Sequence, residues 1–501
     1  MVEEEIALAH PDARRRAVNR DEGPFDAVVV GSGPNGLAAA VELAREGAKV
    51  LVLEAADTIG GGTRTEELTL PGFRHDVCSA AHPMGVLSPF FRRLPLAEHG
   101  LEWIRPRASV AHPLDDGPAV LLQRSVDATC ADLGEDASAW RRIVEPLLDD
   151  PHALLEDILA PLGWPSRPLA FARFGALALW PSTWLARTAF RGSRARALWA
   201  GCAAHSVLPL SYPATSALGL VFALTAHVED WPVARGGSKA ITRALASLFG
   251  SLGGVVRTGC RVRTSADLPP ARAFLFDTDP LQLASIAGDA LPAGYRRRLG
   301  RFRFGPGVFK VDLALDGPIP WRDPRCLEAS TVHVGGSLEE IAVSERAAWR
   351  GEHAERPFLI VVQQSQFDPS RAPAGRHTGY AYCHVPAGST EDATDRIEAQ
   401  IERFAPGFRD RILARHKAGP AWFEHHDPNY VGGAVTGGAA DLSQLFTRPV
   451  ARLDPYSTPN PRVWICSAST PPGGGVHGMC GYHAARSALR AMSGLSAGRL
   501  A

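Results

Sequence analysis

The sequence lacks the marks of several large protein classes. Its eight cysteines include no Cys-x-x-Cys pair, which argues against zinc-ribbon, iron–sulfur and thioredoxin-type sites. Basic and acidic residues both number 53, so the formal net charge is zero. The chain as a whole is therefore not attracted to nucleic acid or to an anionic surface. Ser-His-Asp, Walker-loop and His-Glu-x-x-His patterns are missing too, and no metal site is predicted.

Long apolar runs are also missing. No run reaches the ~20 residues that cross a bilayer, and the nearest candidate, residues 214–228, is bounded by Pro213 and Glu229. Residues 1–24 are charged, include three consecutive glutamates and lack the apolar region of a signal peptide. We predict a flexible tail over residues 1–24, reduced cysteines and a cytoplasmic protein. Peripheral membrane contact, with a lipid-like substrate drawn from the bilayer, stays open.

Ordered structure is predicted to begin at Phe25. Residues 26–30 form a short apolar run that ends in glycine, as expected of a parallel strand buried on both faces. Residues 37–46 have helical spacing and are followed by Gly47, and residues 49–54 form a second apolar run. A strand, a glycine-rich turn, a helix and a strand within about 30 residues predict a βαβ unit.

The turn of this unit carries a Gly-x-Gly-x-x-Gly motif. Gly31 permits a tight turn, Gly33 lets the backbone approach a pyrophosphate, and Gly36 lets helix and strand pack closely. The helix N-terminus offers free N–H groups to phosphates. Glu54, at the end of the second strand, is placed to accept hydrogen bonds from ribose hydroxyls. The unit predicts dinucleotide binding.

Two further glycine-rich segments favour FAD over a nicotinamide cofactor. Residues 60–65 (GGGTRT) follow the second strand and combine a flexible backbone with one arginine. Residues 469–485 (STPPGGGVHGMCGYHAA) follow the last apolar strand and open the last helix. The positive end of that helix is suited to a reduced flavin. Glycine-rich loops at both ends of the chain fit a flavoprotein. The N-terminal loops would hold the ADP half of FAD, and the C-terminal loop would hold the isoalloxazine.

The chain resembles the phytoene desaturase-like FAD-dependent oxidoreductases. It is most similar to the branch named after pyridine nucleotide-disulfide oxidoreductase domain-containing protein 2. The resemblance extends from Phe25 to Met492. Its marks are residues 70–76 (LPGFRHD), 78–83 (CSAAHP), 235–240 (RGGSKA), 304–310 (FGPGVFK) and, above all, 469–485.

The resemblance implies an α/β, Rossmann-like, two-dinucleotide-binding-domain flavoprotein fold with a separate substrate domain. We assign residues 25–137, 232–300 and 455–492 to a discontinuous FAD-binding domain. Residues 138–231 and 301–454 are assigned to a substrate-binding domain made of a helical block and a second sheet. The expected FAD contacts are Gly31, Gly33, Pro34, Asn35, Gly36, Glu54, Gly61, Gly62, Arg64, Val262, Gly474, Gly475, Val476, His477, Gly478 and Met479.

The chain departs from the family in two places. Ala434 stands after Gly432-Gly433, where relatives are expected to carry an acidic residue, and this puts one polar contact in doubt. A redox dithiol just after residues 60–62 would be required for disulfide oxidoreduction, and no cysteine pair occurs there. The disulfide chemistry in the branch's name therefore does not apply to this chain.

The histidine of the C-terminal turn and the tryptophans of the middle block can each be interpreted in two ways. His477 lies in the turn expected to face the flavin and is the leading catalytic candidate, ahead of Asp76 and His82. Alternatively, it only holds the loop by a hydrogen bond. The pair His425-His426 would diverge on a strand, so metal binding is not expected. Six tryptophans of the middle block line an apolar substrate cavity or belong to the core: Trp140, Trp164, Trp180, Trp184, Trp199 and Trp231.

The leading hypothesis is an FAD-dependent dehydrogenase or desaturase. A hydride would pass from an apolar or amphipathic small molecule to flavin N5. The second Gly-x-Gly-x-x-Gly string, residues 473–478 (GGGVHG), lies in the turn assigned to the isoalloxazine. No dedicated nicotinamide domain is therefore predicted, and oxygen or a quinone is favoured over NAD(P) as the electron acceptor. Two alternatives remain: a catalytically silent binding or scaffold protein with a flavin fold, and a redox-neutral FAD-dependent isomerase.

Overall fold

The computed structural model describes residues 24–497, so the predicted tail lies outside the described residues except for Pro24. The strands in this range are β1 (Phe25–Val30), β2 (Val50–Leu53), β3 (Thr65–Glu66), β4 (His75–Asp76), β5 (Trp103–Ile104), β6 (Ala108–His112), β7 (Val120–Leu122), β8 (Val233–Ala234), β9 (Val255–Arg257), β10 (Ala271–Phe276), β11 (Gly307–Leu315), β12 (Ala329–Val334), β13 (Leu359–Val362), β14 (His377–Val385), β15 (Ile412–Ala418) and β16 (Val463–Ile465).

The α-helices in the same range are α1 (Pro34–Arg45), α2 (Pro83–Val86), α3 (Val126–Leu133), α4 (Ala137–Val144), α5 (Pro151–Ile158), α6 (Pro168–Ala178), α7 (Ser182–Ala189), α8 (Ser193–Ala204), α9 (Ser216–Glu229), α10 (Lys239–Ser251), α11 (Pro280–Ala287), α12 (Ala293–Leu299), α13 (Leu338–Trp349), α14 (Thr394–Phe404), α15 (Pro420–His426), α16 (Leu442–Leu445) and α17 (Met479–Ala497). None of them is long and apolar enough to cross a membrane.

The first sheet has the order β16-β10-β1-β2-β9, and all its strands are parallel. The predicted βαβ unit is β1, α1 and β2. Helices α10 and α17 pack against α1 on one face of the sheet, and α11 and α12 supply apolar side chains to the other. Both faces are thus covered, as expected of a parallel sheet with near-continuous apolar strands. The Rossmann-like α/β fold is confirmed.

The second sheet has the order β15-β11-β14-β13-β12-β6-β7 and is antiparallel except where β6 pairs with β12. Strands β6 and β7 fall within residues 25–137, which we had assigned to the FAD-binding domain. In the structure both strands belong to the second sheet, where β6 pairs with β12 on one side and with β7 on the other. Every residue of the two strands is buried. Sequence pattern does not tell which sheet a buried strand joins.

Two local predictions are corrected. Sequence pattern over residues 194–227 predicts one helical stretch, but the structure has two helices, α8 and α9, joined by a loop in which Val207 and Ala214 have positive φ angles of 53° and 66°. Sequence pattern also predicts a short strand at Arg261, Val262 and Arg263, but these residues form none in the structure. Val262 instead packs inward next to the carboxyl ends of the first sheet.

Candidate functional site

A cavity of about 510 Å³ lies at the carboxyl ends of β1, β2, β10 and β16. Ligands of open parallel sheets bind at this edge, and the volume is within the ~300–1,000 Å³ range of small-molecule sites. The cavity continues from the glycine-rich loops of the first domain to aromatic side chains of the second. Predicted contacts on its lining are Gly31, Gly33, Pro34, Asn35, Glu54, Gly61, Gly62, Arg64, Val262, Gly474, Gly475 and Val476.

The first loop brings backbone to the cavity. Gly31 has φ +103°, a conformation that favours glycine. A Cβ on Gly33 would lie 2.8 Å from the Asp277 carboxylate, so a larger residue would fill the cradle. Gly36 is behind the lining: a Cβ there would overlap the Gly31 carbonyl oxygen and lie 3.0 Å from the Gly31 carbonyl carbon. Gly31 and Gly36 thus provide the tight turn and the close packing that the motif predicts, and the pyrophosphate contact of Gly33 stays a prediction.

Glu54 holds the first loop and also faces the cavity. One carboxylate oxygen accepts hydrogen bonds from Ser32 N at 2.9 Å and Ser32 Oγ at 2.6 Å. The other accepts from Ala56 N at 2.9 Å and lies 3.4 Å from Arg64 Nη2. The carboxylate is therefore oriented before any ligand arrives, which suits it for the ribose contact.

The second glycine segment faces the first. A Cβ on Gly61, whose φ is +52°, would lie 3.2 Å from the Gly33 Cα, so the two loops meet only because both residues are glycine. Arg64 is buried and donates to the Thr58 carbonyl at 3.0 Å. Its buried Nε has no hydrogen-bond partner among the described residues. A buried guanidinium with a free donor fits an anionic or carbonyl-bearing ligand.

Some residues of the C-terminal turn line the cavity, and others pack behind the turn. Gly474, Gly475 and Val476 face the cavity, and the φ of +129° at Gly475 requires glycine. Gly478 and Met479 are not on the described lining: Gly478 packs against Phe91, and Met479 begins α17 in the core. The dinucleotide sites predicted from sequence are thus gathered at one place, with Gly36, Gly478 and Met479 behind it.

His477 is fully buried and is not on the described lining. Its Nδ1 accepts a hydrogen bond from Met479 N at 3.0 Å, and its backbone carbonyl accepts one from Ser88 Oγ at 2.6 Å. Burial lowers the pKa of His477 to about 4, so the imidazole is neutral. These contacts hold the turn. The catalytic role of His477 stays a prediction, and none of its contacts supports it.

Asp277 is a site residue that the sequence reasoning missed. It follows β10, and its Oδ2 accepts from Gly36 N at 2.8 Å, so it occupies the N-terminus of α1. Burial, reinforced by the nearby Asp427 and Glu54, raises its pKa well above the ordinary value. The signal was available, because a carboxylate directly after a strand of this parallel sheet lies at the same edge as the glycine loop.

A second missed group comes from residues 425–430, between the two sheets. His425 and His426 were treated as strand residues, but they end helix α15, and both line the cavity. His426 stacks on Trp422 with ring centroids 4.9 Å apart and lies 3.5 Å from Arg64 Nη1. Asp427, also on the lining, is half-buried, and desolvation of its carboxyl raises its pKa. The group closes the cavity opposite the Gly61 loop.

The far end of the cavity is apolar and aromatic. Phe222 and Trp231 pack with ring centroids 4.9 Å apart, and Tyr380 and Tyr382 meet edge to face at 5.8 Å. Met84 completes this group on the lining. We call these five residues the aromatic end. Trp231 is on the cavity lining and also belongs to the core cluster that holds Trp140 and Trp199, so both interpretations apply to it. Trp180 is partly buried against that cluster, and Trp164 and Trp184 are exposed.

A neutral histidine pair adjoins the aromatic end. His205 lines the cavity, and its Nε2 lies 3.0 Å from the Nε2 of His333, which is fully buried. Burial lowers the pKa of His205 to about 3 and that of His333 well below its ordinary value. The acidic residues on the described lining, Glu54, Asp277, Asp279 and Asp427, belong instead to the glycine-loop end.

The comparisons with known proteins agree with this geometry. Residues 29–94 match the family model for an NAD(P)-binding Rossmann-like domain. The chain is 25% identical to the pyridine nucleotide-disulfide oxidoreductase domain-containing protein 2 of Mus musculus, over 95% of each chain. It is 28% identical to the phytoene dehydrogenase of Streptomyces griseus over 78% of each, and 26% identical to the hydroxyneurosporene desaturase of Cereibacter sphaeroides over 92% of this chain and 97% of that protein.

Over most of its length the chain is thus similar to oxidoreductases of the phytoene desaturase type. Solved structures share the fold. An oxidoreductase from Methanosarcina mazei has a TM-score of 0.62 at 17% identity, covering 93% of this chain and 99% of that one. Putrescine oxidase bound to putrescine has a TM-score of 0.60 at 19% identity, covering 95% and 99%. The chain is thus an oxidoreductase enzyme with a dinucleotide-binding domain.

Proposed function

We propose that the chain binds FAD and oxidises an uncharged, apolar or amphipathic small molecule. The observation that carries this is one continuous cavity that joins two glycine-rich loops to the aromatic end. The Gly33–Gly61 approach, the oriented Glu54 carboxylate and the free Nε of Arg64 fit a dinucleotide whose second half lies against the C-terminal turn. When bound, FAD supplies a hydride acceptor at flavin N5.

The residues of the chain have separable tasks in this reaction. The glycine loops and Glu54 hold the cofactor, and the aromatic end excludes water and orients a substrate C–H bond. The substrate would lose a hydride from one C–H bond and a proton from the neighbouring atom, which would leave a new double bond. The two electrons and two protons removed would end on oxygen, as hydrogen peroxide, or on a quinone, as the quinol. Among the described residues only the β16-β10-β1-β2-β9 sheet is all-parallel, which supports this choice of acceptor over NAD(P) bound in a second domain of the same kind.

The charge distribution supports an uncharged substrate over an amine. An ammonium group at the aromatic end would meet the neutral His205–His333 pair and no carboxylate on the described lining, because the acidic residues lie at the other end. An unpaired charge in an apolar site is costly. We therefore favour carbon–carbon desaturation, or oxidation of an alcohol, over amine oxidation.

Anaerobic mixing of the yellow protein with a substrate panel tests the proposal. The panel contains apolar polyenes, long-chain alcohols and amines of matched length, and loss of visible flavin absorbance is the readout. We expect bleaching by an uncharged member. Phe222→Ala should change the preferred chain length without changing flavin content, and Phe446→Ala, at an exposed position away from the lining, should change neither.

Each contrary outcome of the panel has a defined meaning. Bleaching by amines alone would contradict the choice of an uncharged substrate. Flavin binding with no reduction by any member, nor by light with a sacrificial donor, would favour a silent scaffold. A product isomeric with the substrate, formed without net bleaching or oxygen uptake, would favour the redox-neutral isomerase.

A further inference from the structure

Two polar side chains face the cavity next to the aromatic end. His205, directly after α8, and Thr331, in β12, are both on the lining. The Thr331 hydroxyl is buried and has no hydrogen-bond partner among the described residues. His205 is half-buried, and its imidazole bonds to the described part of the chain through Nε2, which lies 3.0 Å from the Nε2 of His333. Unpaired polar groups beside a cavity are suited to a ligand that can pair with them.

Strand register places these groups beside the tyrosines of the aromatic end. Residues that are directly opposite on neighbouring strands point to the same face of a sheet. Thr331 and His333 therefore project from the face that carries the two tyrosines, roughly 7 Å apart along β12. Two rows cross the sheet here: Thr331, Val362 and Tyr380, and His333, Ile360 and Tyr382.

The contact between His205 and His333 determines which ring nitrogen carries a proton. Both rings are neutral, because burial lowers the pKa of His205 to about 3 and that of His333 well below its ordinary value. One of the two Nε2 atoms must then donate and the other accept. Donation by His205 would leave the proton of His333 on Nδ1, which is buried and has no partner among the described residues. Because a buried N–H without an acceptor is rarer than an unpaired acceptor, donation by His333 is favoured, and the proton of His205 is on Nδ1.

Gly201 makes room for this pair. It lies inside α8, where glycine is less favourable than alanine. A Cβ on Gly201 would lie 2.5 Å from Nδ1 of His333 and 3.2 Å from its Cβ. A larger residue would push the imidazole away from the helix that ends at His205. The glycine thus allows His333 to reach His205.

We propose that Nδ1–H of His205 donates a hydrogen bond to an uncharged oxygen of the substrate, with the Thr331 hydroxyl as a second partner. The substrate is then an apolar molecule that carries a carbonyl or hydroxyl group, and not a pure hydrocarbon. An ammonium group has donors only, so it would meet another donor at His205. The inference rests on the proposed function for the use of this cavity by the substrate. His333 acts through His205 and is a positioning residue.

The test is equilibrium dialysis of the full-length protein, incubated with FAD, against three probes of one carbon skeleton. Valerophenone has a carbonyl oxygen, pentylbenzene lacks it, and 1-phenylpentylamine has an ammonium group in its place. The readout is the ratio of the affinities for the ketone and the hydrocarbon. His205→Phe should lower this ratio roughly fivefold, through the loss of one neutral hydrogen bond. The control His152→Phe, at an exposed position in α5, should not change it.

Two further positions separate hydrogen bonding from packing. Thr331→Val removes only the hydroxyl and should lower the ratio roughly twofold. His333→Leu removes the donor to His205 and should lower it roughly two- to fivefold. His333→Gln should keep the wild-type ratio, because its amide N–H can take the place of Nε2–H. Unchanged flavin content shows that each variant is folded.

Two outcomes would overturn the proposal. The first is an unchanged ratio in both His205→Phe and Thr331→Val, and failure of the wild type to bind the ketone has the same meaning. The second is tighter binding of the amine than of the ketone by the wild type, which would require an acceptor at His205.

The result is separable from the proposed reaction, since no turnover is measured. A ratio that depends on His205, in a protein whose flavin no substrate reduces, would support this inference and count against the reaction. Flavin bleaching by a hydrocarbon, with an unchanged ratio in His205→Phe, would support the reaction and overturn this inference.

Discussion

Substitution of Gly36 by alanine tests the close approach at the start of α1. The added Cβ would overlap the Gly31 carbonyl oxygen and lie 3.0 Å from the Gly31 carbonyl carbon and from Asp277 Oδ2. These are backbone and buried neighbours, so α1 must retreat from the β1 turn. Overpacking of this kind costs about 1–3 kcal/mol of stability. The retreat also withdraws the helix N-terminus from the phosphates, which weakens FAD binding by roughly 10- to 100-fold if one charge-assisted hydrogen bond is lost.

The assay is titration of apoprotein with FAD, followed by flavin fluorescence, together with thermal unfolding of the apoprotein. Gly250→Ala is the matched control, because Gly250 is in helix α10 of the same domain and a Cβ there meets nothing within 4 Å. That change should leave FAD affinity unaltered and stabilise the fold by about 0.5–1 kcal/mol. Wild-type FAD affinity in Gly36→Ala would refute the placement of the cofactor at this turn.

Three further predictions follow from buried groups. Burial raises the pKa of Asp277 well above its ordinary value, so the carboxyl is neutral at low pH and becomes negatively charged as pH rises through the folded pKa. The negative charge repels the phosphates, so FAD affinity should fall over that pH range, whereas Asp277→Asn should show a flat profile and, above that pKa, bind FAD roughly tenfold more tightly than the wild type. Parallel pH profiles of the two proteins would contradict this. His477→Asn should keep full flavin content and substrate-driven bleaching, because the amide oxygen of asparagine can accept the hydrogen bond from Met479 N. Full flavin content with no bleaching would instead support a catalytic role for His477. Lys310 donates to the Asp76 and Val77 carbonyls at 2.8 and 2.7 Å and lies 3.0 Å from Asp312. Lys310→Met should therefore lower the free energy of unfolding, measured with denaturant, by about 3–5 kcal/mol, because it leaves Asp312 buried without its partner. The double variant Lys310→Met/Asp312→Leu should recover part of this loss, and equal stability of the single and double variants would contradict the pairing.

The βαβ unit was predictable because its signals are local. Glycine spacing fixes the turn between β1 and α1, and apolar runs fix the two strands around it. The C-terminal turn was predictable for the same reason, since clustered glycines precede the last helix. The structure brings the Gly33, Gly61 and Gly475 loops to one cavity, which follows from the rule that ligands bind at the carboxyl ends of parallel strands.

The remaining features depend on contacts between distant parts of the chain. The pairing of β6 with β12 joins segments separated by more than 200 residues, and apolar pattern does not specify a partner. The role of residues 425–430 depends on helix α15 bringing them against Arg64. The break between α8 and α9 depends on positive φ angles at Val207 and Ala214, residues that ordinarily avoid that conformation. Sequence pattern indicated helix through this region.

The flavin content of the purified full-length protein tests the central claim most directly. The protein is incubated with FAD, desalted and denatured, and the released cofactor is identified by chromatography and mass. The structure predicts FAD in stoichiometric amount, with much less retained by Gly36→Ala and an unchanged amount by Gly250→Ala. Absence of flavin after this treatment, or retention of NAD(P) in its place, would contradict the assignment of the cavity.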